Sequence, residues 1–231
     1  MNAKRCFGIG LGLMLALTLL FWVTDLDVRG PALGYRPEIP HWTWAHREPC
    51  LFFHRFGTWP GLALLAGACV GWLLAFRNPA REAWRFPCLY VIALTALGPG
   101  LLVNGILKNL VGRPRPYETV AFGGTRDFLR PFELGTPFQG ASFMSGHAAM
   151  AFLFVGLFFV LKGWKRWAAL AGGIGLGLLV GASRVLRGDH YPSDVLLPGA
   201  LIFTLSAGMM LFTSKPRDVI ISVPQPGRIE N

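Results

Sequence analysis

Three short polar clusters in this chain carry the residue types that chemistry on a phosphate group needs. The first is Lys108 followed, after six residues, by Arg115-Pro116. A cation at a helix end and a second in a proline-stiffened turn can face a common anion. The second is Ser142-Phe143-Met144-Ser145-Gly146-His147, directly before an apolar stretch. Ser145 and Gly146 at a helix N-terminus offer a hydroxyl and unpaired backbone N–H groups that can seat a phosphate oxygen, with His147 in reach of the same anion. The third is Ser183-Arg184, then His190 after five residues and Asp194 after three more. An imidazole and a carboxylate at i and i+4 can share one helical face. Asp194 then accepts from one ring nitrogen and leaves the other free as a nucleophile.

Each cluster also has a plainer reading. Lys and Arg at a helix end can snorkel to lipid headgroups, Ser-Gly before a helix is an ordinary cap, and a His-Asp pair can be structural. Together they supply three cations, anion-seating amides, two histidines and a carboxylate. In-line phosphoryl transfer uses that set: donors for the equatorial oxygens, and a nucleophile opposite a proton donor.

The spacing resembles the type 2 phosphatidic acid phosphatase superfamily, whose signature is Lys-x6-Arg-Pro, Pro-Ser-Gly-His and Ser-Arg-x5-His-x3-Asp. Lys108, Arg115 and Pro116 match the first part, with Arg113-Pro114 a decoy two residues earlier. Ser183, Arg184, His190 and Asp194 match the third. In the middle part Met144 replaces the family's proline, so a looser turn is expected there. The resemblance implies a phosphohistidine on His190, oriented by Asp194, with His147 protonating the leaving oxygen. It implies that Lys108, Arg115, Ser145, Gly146 and Arg184 hold the phosphate and that no metal is required; the sequence offers no carboxylate cluster for one. The run from Gly112 to Gly124, with Phe122-Gly123-Gly124, looks most like the bacterial lipid A 1-phosphatases. Undecaprenyl diphosphate phosphatase, phosphatidylglycerophosphate phosphatase and a lipid phosphotransferase are the alternatives within the superfamily. A transporter that binds an anion without cleaving it is the non-enzymatic one.

These clusters need elements to hold them. Of the 231 residues, 53% are apolar and only 15% charged. That leaves more apolar surface than a soluble domain of this size buries, so lipid is the expected solvent. Six apolar stretches, about 7–24, 60–76, 88–107, 147–161, 167–182 and 195–213, are expected to cross the membrane as an all-α bundle forming a single embedded domain. The first resembles a secretory signal but runs into Val23-Thr24-Asp25 without a small-x-small cleavage site, and reads as a retained anchor. Segment 24–59, with Trp42, Trp44 and Trp59, is expected to cap the bundle at the outer interface, and 214–231 to form a flexible cytoplasmic tail. Gly172, Gly173, Gly175, Gly177 and Gly181 are expected to let one helix approach its neighbours.

Placing the N-terminus in the cytoplasm gathers Arg77, Arg81 and Arg85 with Lys162, Lys165 and Arg166 on that side. All three polar clusters then lie on the other face, the periplasm if the membrane is a bacterial inner membrane. The formal charge of +10 suits anionic lipid and phosphate; no basic run interleaved with aromatics marks a nucleic-acid site. His41, His46, Cys50 and His54 can be drawn as a zinc site, but their setting among Trp and Arg is that of a membrane interface.

Overall fold

Apolar runs about as long as a bilayer is thick have only one local way to satisfy every backbone amide in lipid, the helix. The computed structural model, which describes residues 2–38 and 41–213, is accordingly an all-α polytopic membrane protein. The segment 214–231, read from the sequence as a tail, lies outside the described residues.

Helix α1 (Ala3–Val23) starts at Asn2, whose side chain accepts from the Lys4 amide at 3.1 Å. A short helix α2 (Leu26–Ala32), a two-stranded hairpin pairing β1 (Tyr35–Arg36) with β2 (His41–Trp42), and α3 (Cys50–Phe56) lead into α4 (Trp59–Arg77). After a 3-10 turn over Pro79–Trp84 come α5 (Arg85–Thr95), a wider π-type stretch over Ala96–Leu107, and α6 (Lys108–Val111). Pro99 explains the widening: it lacks an N–H and its ring crowds the preceding turn. The loop after α6 returns at Ser145 to α7 (Gly146–Ala151) and α8 (Leu153–Gly156). The chain closes with α9 (Gly163–Leu186) and α10 (Pro192–Phe212).

Among the described residues, five segments are long and apolar enough to cross a membrane: Ala3–Val23, Cys50–Arg77, Pro79–Glu118, Gly163–Leu186 and Pro192–Phe212. Their outer faces stay apolar and open, with Leu15, Leu19, Val70 and Phe76 all exposed, as a lipid-facing surface requires. The expected span over 147–161 is instead a shorter apolar helix, Gly146–Phe159, broken at Phe152 and ending in a 3-10 turn. At about 1.5 Å per residue it is too short for a hydrocarbon core of about 30 Å. It can be short because it is surrounded by protein: Ala148, Ala149, Ala151, Leu153 and Val155 are all buried.

Of the glycines on α9, Gly173, Gly177 and Gly181 lie at four-residue spacing on the inner face. A Cβ there would meet Phe154 and Val155, Phe152, or Val195, whereas Gly172 and Gly175 face open space. The close-packing role therefore belongs to three of the five. Segment 24–59 folds back over the end of the bundle that carries the polar clusters. Gly30 packs on Pro192, Gly34 on Leu186 and Trp42 on Gly188, and Tyr35 and Trp42 join Phe122 in an aromatic cluster.

Candidate active site

The ends of α6, α7, α9 and α10 meet at that capped face. Lys108 starts α6, a half-buried ammonium within 3.2 Å of Asn104 Oδ1. Its charge lies within electrostatic reach of Arg115, Arg184 and Asp194. Asn104 also explains Gly146, because a Cβ there would sit 2.6 Å from its side-chain oxygen. Ser145 caps α7 by accepting from the Ala148 amide at 3.3 Å, and its own N–H donates to the Asp194 carbonyl at 2.9 Å. His147 follows on the first turn, surrounded by Arg184, His190, His54 and Lys108.

Arg184 ends α9 in full burial, and its Nε has no hydrogen-bond partner among the described residues. An unsatisfied buried donor is costly unless something arrives to accept from it. Asp189 gathers the neighbouring guanidinium groups, lying 3.3 Å from Arg184, 3.8 Å from Arg115 and 3.1 Å from Arg187. The structure thus brings Lys108, Arg115, Ser145, Gly146, His147, Arg184, His190 and Asp194 together at one end of the bundle. Ser183 is turned away, its hydroxyl donating to the Val180 carbonyl at 2.6 Å.

His190 is 1% exposed. Its Nδ1 lies 2.8 Å from the Ser142 carbonyl and 3.7 Å from Asp194 Oδ2. A carbonyl can only accept, so Nδ1 carries the hydrogen and Nε2 keeps the lone pair when the ring is neutral. Burial pushes the His190 imidazole below its usual range, against the opposing pull of Asp194.

The expected i, i+4 pair on one helical face needs correction. Pro192 sets the first position of α10, so His190 precedes the helix, and Asp194, at its third position, turns back to accept from the Tyr191 amide at 3.0 Å. The direct partner of the imidazole is the Ser142 carbonyl. Asp194 holds it indirectly, accepting from the Ser142 hydroxyl at 2.5 Å. The same bonds correct the expectation of a loose turn at Met144. Ser142 is pinned to the Arg113 carbonyl at 3.1 Å and to Asp194, Ser145 is pinned to Asp194, and the Met144 side chain fills the core with Val103 and Leu197.

Sequence reasoning missed three residues. Arg113, set aside as a decoy, is fully buried. Its Nη1 donates to Asp194 Oδ1 at 2.6 Å and to Ser193 Oγ at 2.8 Å, its Nη2 to Asp27 Oδ2 at 2.8 Å and its Nε to the Leu129 carbonyl at 2.8 Å. It also stacks 4.1 Å over the Tyr191 ring. Asp27, on α2, accepts from the Ser193 amide at 2.8 Å and so caps the first turn of α10 from outside. His54, on α3, meets Arg184 Nη1 through its Nδ1 and lies nearly parallel to His147, ring centroids 6.0 Å apart. Among the described residues His41, His46, Cys50 and His54 do not come together as a group that could hold a metal ion. The only advance signal for these residues was the density of polar side chains in an otherwise apolar chain.

A cluster of cations beside a buried imidazole whose Nδ1 faces a carbonyl fits phosphoryl chemistry, and comparison with known proteins agrees. The PAP2 superfamily matches residues 88–218, more than half the chain, and the chain belongs to that superfamily. It is 40% identical over 119 residues to a lipid A 4'-phosphatase of Rhizobium leguminosarum, covering 51% of each chain. It is 32% identical over 134 residues to a lipid A 4'-phosphatase of Francisella tularensis subsp. novicida, covering 55% of this chain and 59% of the relative. A lipid A 1-phosphatase of Rhizobium etli is 38% identical over 106 residues, 44% of this chain and 40% of the relative. The matched part thus spans about half the length of these curated relatives. No solved structure gives a significant match.

Proposed function

We propose that this protein is a lipid phosphatase that acts through a phosphohistidine on His190 and removes a phosphate from lipid A. The observation that carries the chemistry is the His190 Nδ1 bond to the Ser142 carbonyl, which leaves the lone pair on Nε2 of a ring within electrostatic reach of Arg184 and Lys108. Nε2 attacks phosphorus as the bond to the leaving oxygen breaks, and His147 gives that oxygen a proton. Water, deprotonated by His147, then attacks the phosphohistidine, releasing inorganic phosphate and restoring neutral His190. Lys108, Arg115, Arg184, the Ser145 hydroxyl and the Gly146 amide stabilise the equatorial oxygens throughout. Burial, with the charges of Arg184 and Lys108, pushes the pKa of the His147 imidazole down to about 4, so its proton has to be held by the negative charge that the phosphate dianion brings.

The motif resemblance favours the 1-phosphate of lipid A. The 4'-position is the second reading, because the Rhizobium relative of that name shares 40% identity over the longer stretch. A bacterial inner membrane with the site facing the periplasm suits either position. The basic residues Arg77, Arg81 and Arg85 and Lys162, Lys165 and Arg166 lie at the helix ends remote from the site, which supports that orientation.

The test is to incubate purified protein with lipid A, undecaprenyl diphosphate and phosphatidylglycerophosphate, following free phosphate and locating the lost group by mass spectrometry. Release from lipid A alone, at one position, is the expected result. Preference for another lipid would replace the substrate, and binding without release would turn the reading toward an anion carrier.

A further inference from the structure

Beside the phosphate cluster lies an apolar cavity of about 490 Å³, lined by Phe52, Phe53, Phe56, Trp59, Pro60 and Leu176. Its place relative to the cations is set by two elements. On α9, Leu176, Val180 and Arg184 follow at four-residue spacing and share one face. Leu176 therefore lies about 12 Å along the helix axis from Arg184, on the side toward the middle of the span. Gly57 packs on Val180, so the corner between α3 and α4 touches α9 between the two. Helix α3 repeats the division: His54 pairs with Arg184, whereas Phe53 and Phe56 line the cavity. Trp59, Phe52 and Phe56 are themselves open on the outer side, 61%, 52% and 40% exposed, so the cavity is a groove open toward the lipid.

We propose that this groove is a binding site for one hydrocarbon chain of the phosphate-bearing substrate, held while its phosphate rests at Arg184. The inference rests on the reading of the Arg184 cluster as the phosphate site. Three observations argue for a substrate chain in particular. The groove is continuous with the cations through a single short helix. It lies deeper along α9 than the charge it serves, as a chain must lie deeper than its headgroup. Its volume is in the ordinary range for a ligand site, about 300 to 1,000 Å³. Most of its lining, within segment 50–63, precedes the matched region 88–218, whereas Leu176 lies inside it.

Two measurements on the full chain in lipid nanodiscs test it. The first fills the groove with Leu176→Trp and, separately, Ala63→Trp, a further lining residue, and compares lipid A with 4-nitrophenyl phosphate. The expected result is a loss of about tenfold in kcat/KM for the lipid, modest because the chain comes from lipid rather than water and only packing is lost. Turnover of the nitrophenyl ester should stay unchanged. No effect on either substrate, or an equal effect on both, would overturn the proposal. The second needs no turnover: a phosphatidic acid with a photoreactive group in its chain is crosslinked to the protein and mapped by peptide mass spectrometry. Labelling within Phe52–Trp59 that unlabelled phosphatidic acid suppresses and diacylglycerol does not is the expected result. Equal suppression by both means bulk lipid only, and the groove loses its role. Headgroup-dependent labelling in a protein that releases no phosphate from any ester would leave the groove standing and remove the phosphatase reading instead.

Discussion

Asp27 and Asp194, from opposite ends of the chain, hold the two ends of one guanidinium: Arg113 Nη2 meets Asp27 at 2.8 Å and Nη1 meets Asp194 at 2.6 Å. All three side chains are sealed from solvent. Two carboxylates therefore share a single buried cation, which makes the three partners unequal. Losing Asp27's charge leaves a neutral Arg113–Asp194 pair, whereas losing Arg113 leaves two carboxylates facing each other. Arg113→Gln is expected to cost about 3–5 kcal/mol, as for a buried pair broken from one side. Asp27→Asn should cost about 1–2 kcal/mol, the range for a helix cap. Thermal unfolding of the two variants in detergent checks this, and equal losses would contradict the shared-cation account.

His190→Ala should remove turnover while leaving the protein folded in detergent, since the ring gives up one bond to the Ser142 carbonyl and a longer contact with Asp194 Oδ2 at 3.7 Å. Rapid quenching with a radiolabelled phosphate ester should trap an acid-labile phosphoprotein in the parent and none in the variant. Activity near the parent level would remove His190 from the chemistry.

The pH dependence has a definite sign. Attack needs neutral His190, and burial lowers its pKa from an ordinary value of 6.5. The acid limb of kcat/KM should therefore lie below pH 6.5, with activity lost as the pH falls through the lowered value. Asp194 opposes that lowering, so Asp194→Asn should move the acid limb further toward acid and reduce the rate without abolishing it, because the Ser142 carbonyl still fixes the tautomer. A shift toward alkaline pH in a pH–rate profile would contradict the arrangement.

Arg184→Lys keeps the charge and loses the unpaired Nε donor. A loss of about 10²- to 10³-fold in kcat is expected, the usual cost of one donor to a transition-state oxygen. If the variant changes only KM, Arg184 binds substrate and transition state alike.

His147→Ala should reduce turnover most for esters with poor leaving groups and partly spare a nitrophenyl ester, whose leaving oxygen needs little proton donation. A uniform loss across a leaving-group series would place His147 in phosphate binding rather than proton transfer.

The parts of this protein legible in its sequence are the local ones. An apolar run of bilayer length declares a helix whatever surrounds it, and five of six such stretches form long spans. The sixth shows the limit, since hydropathy registers composition but not that buried surroundings let Gly146–Phe159 be short. Lys108, Arg115, Ser145, Gly146, His147, Arg184, His190 and Asp194 could be picked out because each motif sits at the end of its own apolar stretch. The tertiary structure decided how they are held. Asp27 and His54 belong to a segment whose Trp, Arg and Pro content reads as interface, and they acquire roles only when it folds back onto α9 and α10. Arg113 looked redundant beside Arg115 because spacing reveals which cation can face an anion, but not which one two distant carboxylates will bury. His190 and Asp194 are four residues apart on paper, yet Pro192 starts the helix between them. The imidazole's hydrogen-bond partner is therefore a backbone carbonyl from another loop, a contact made across space that no spacing along the chain could encode.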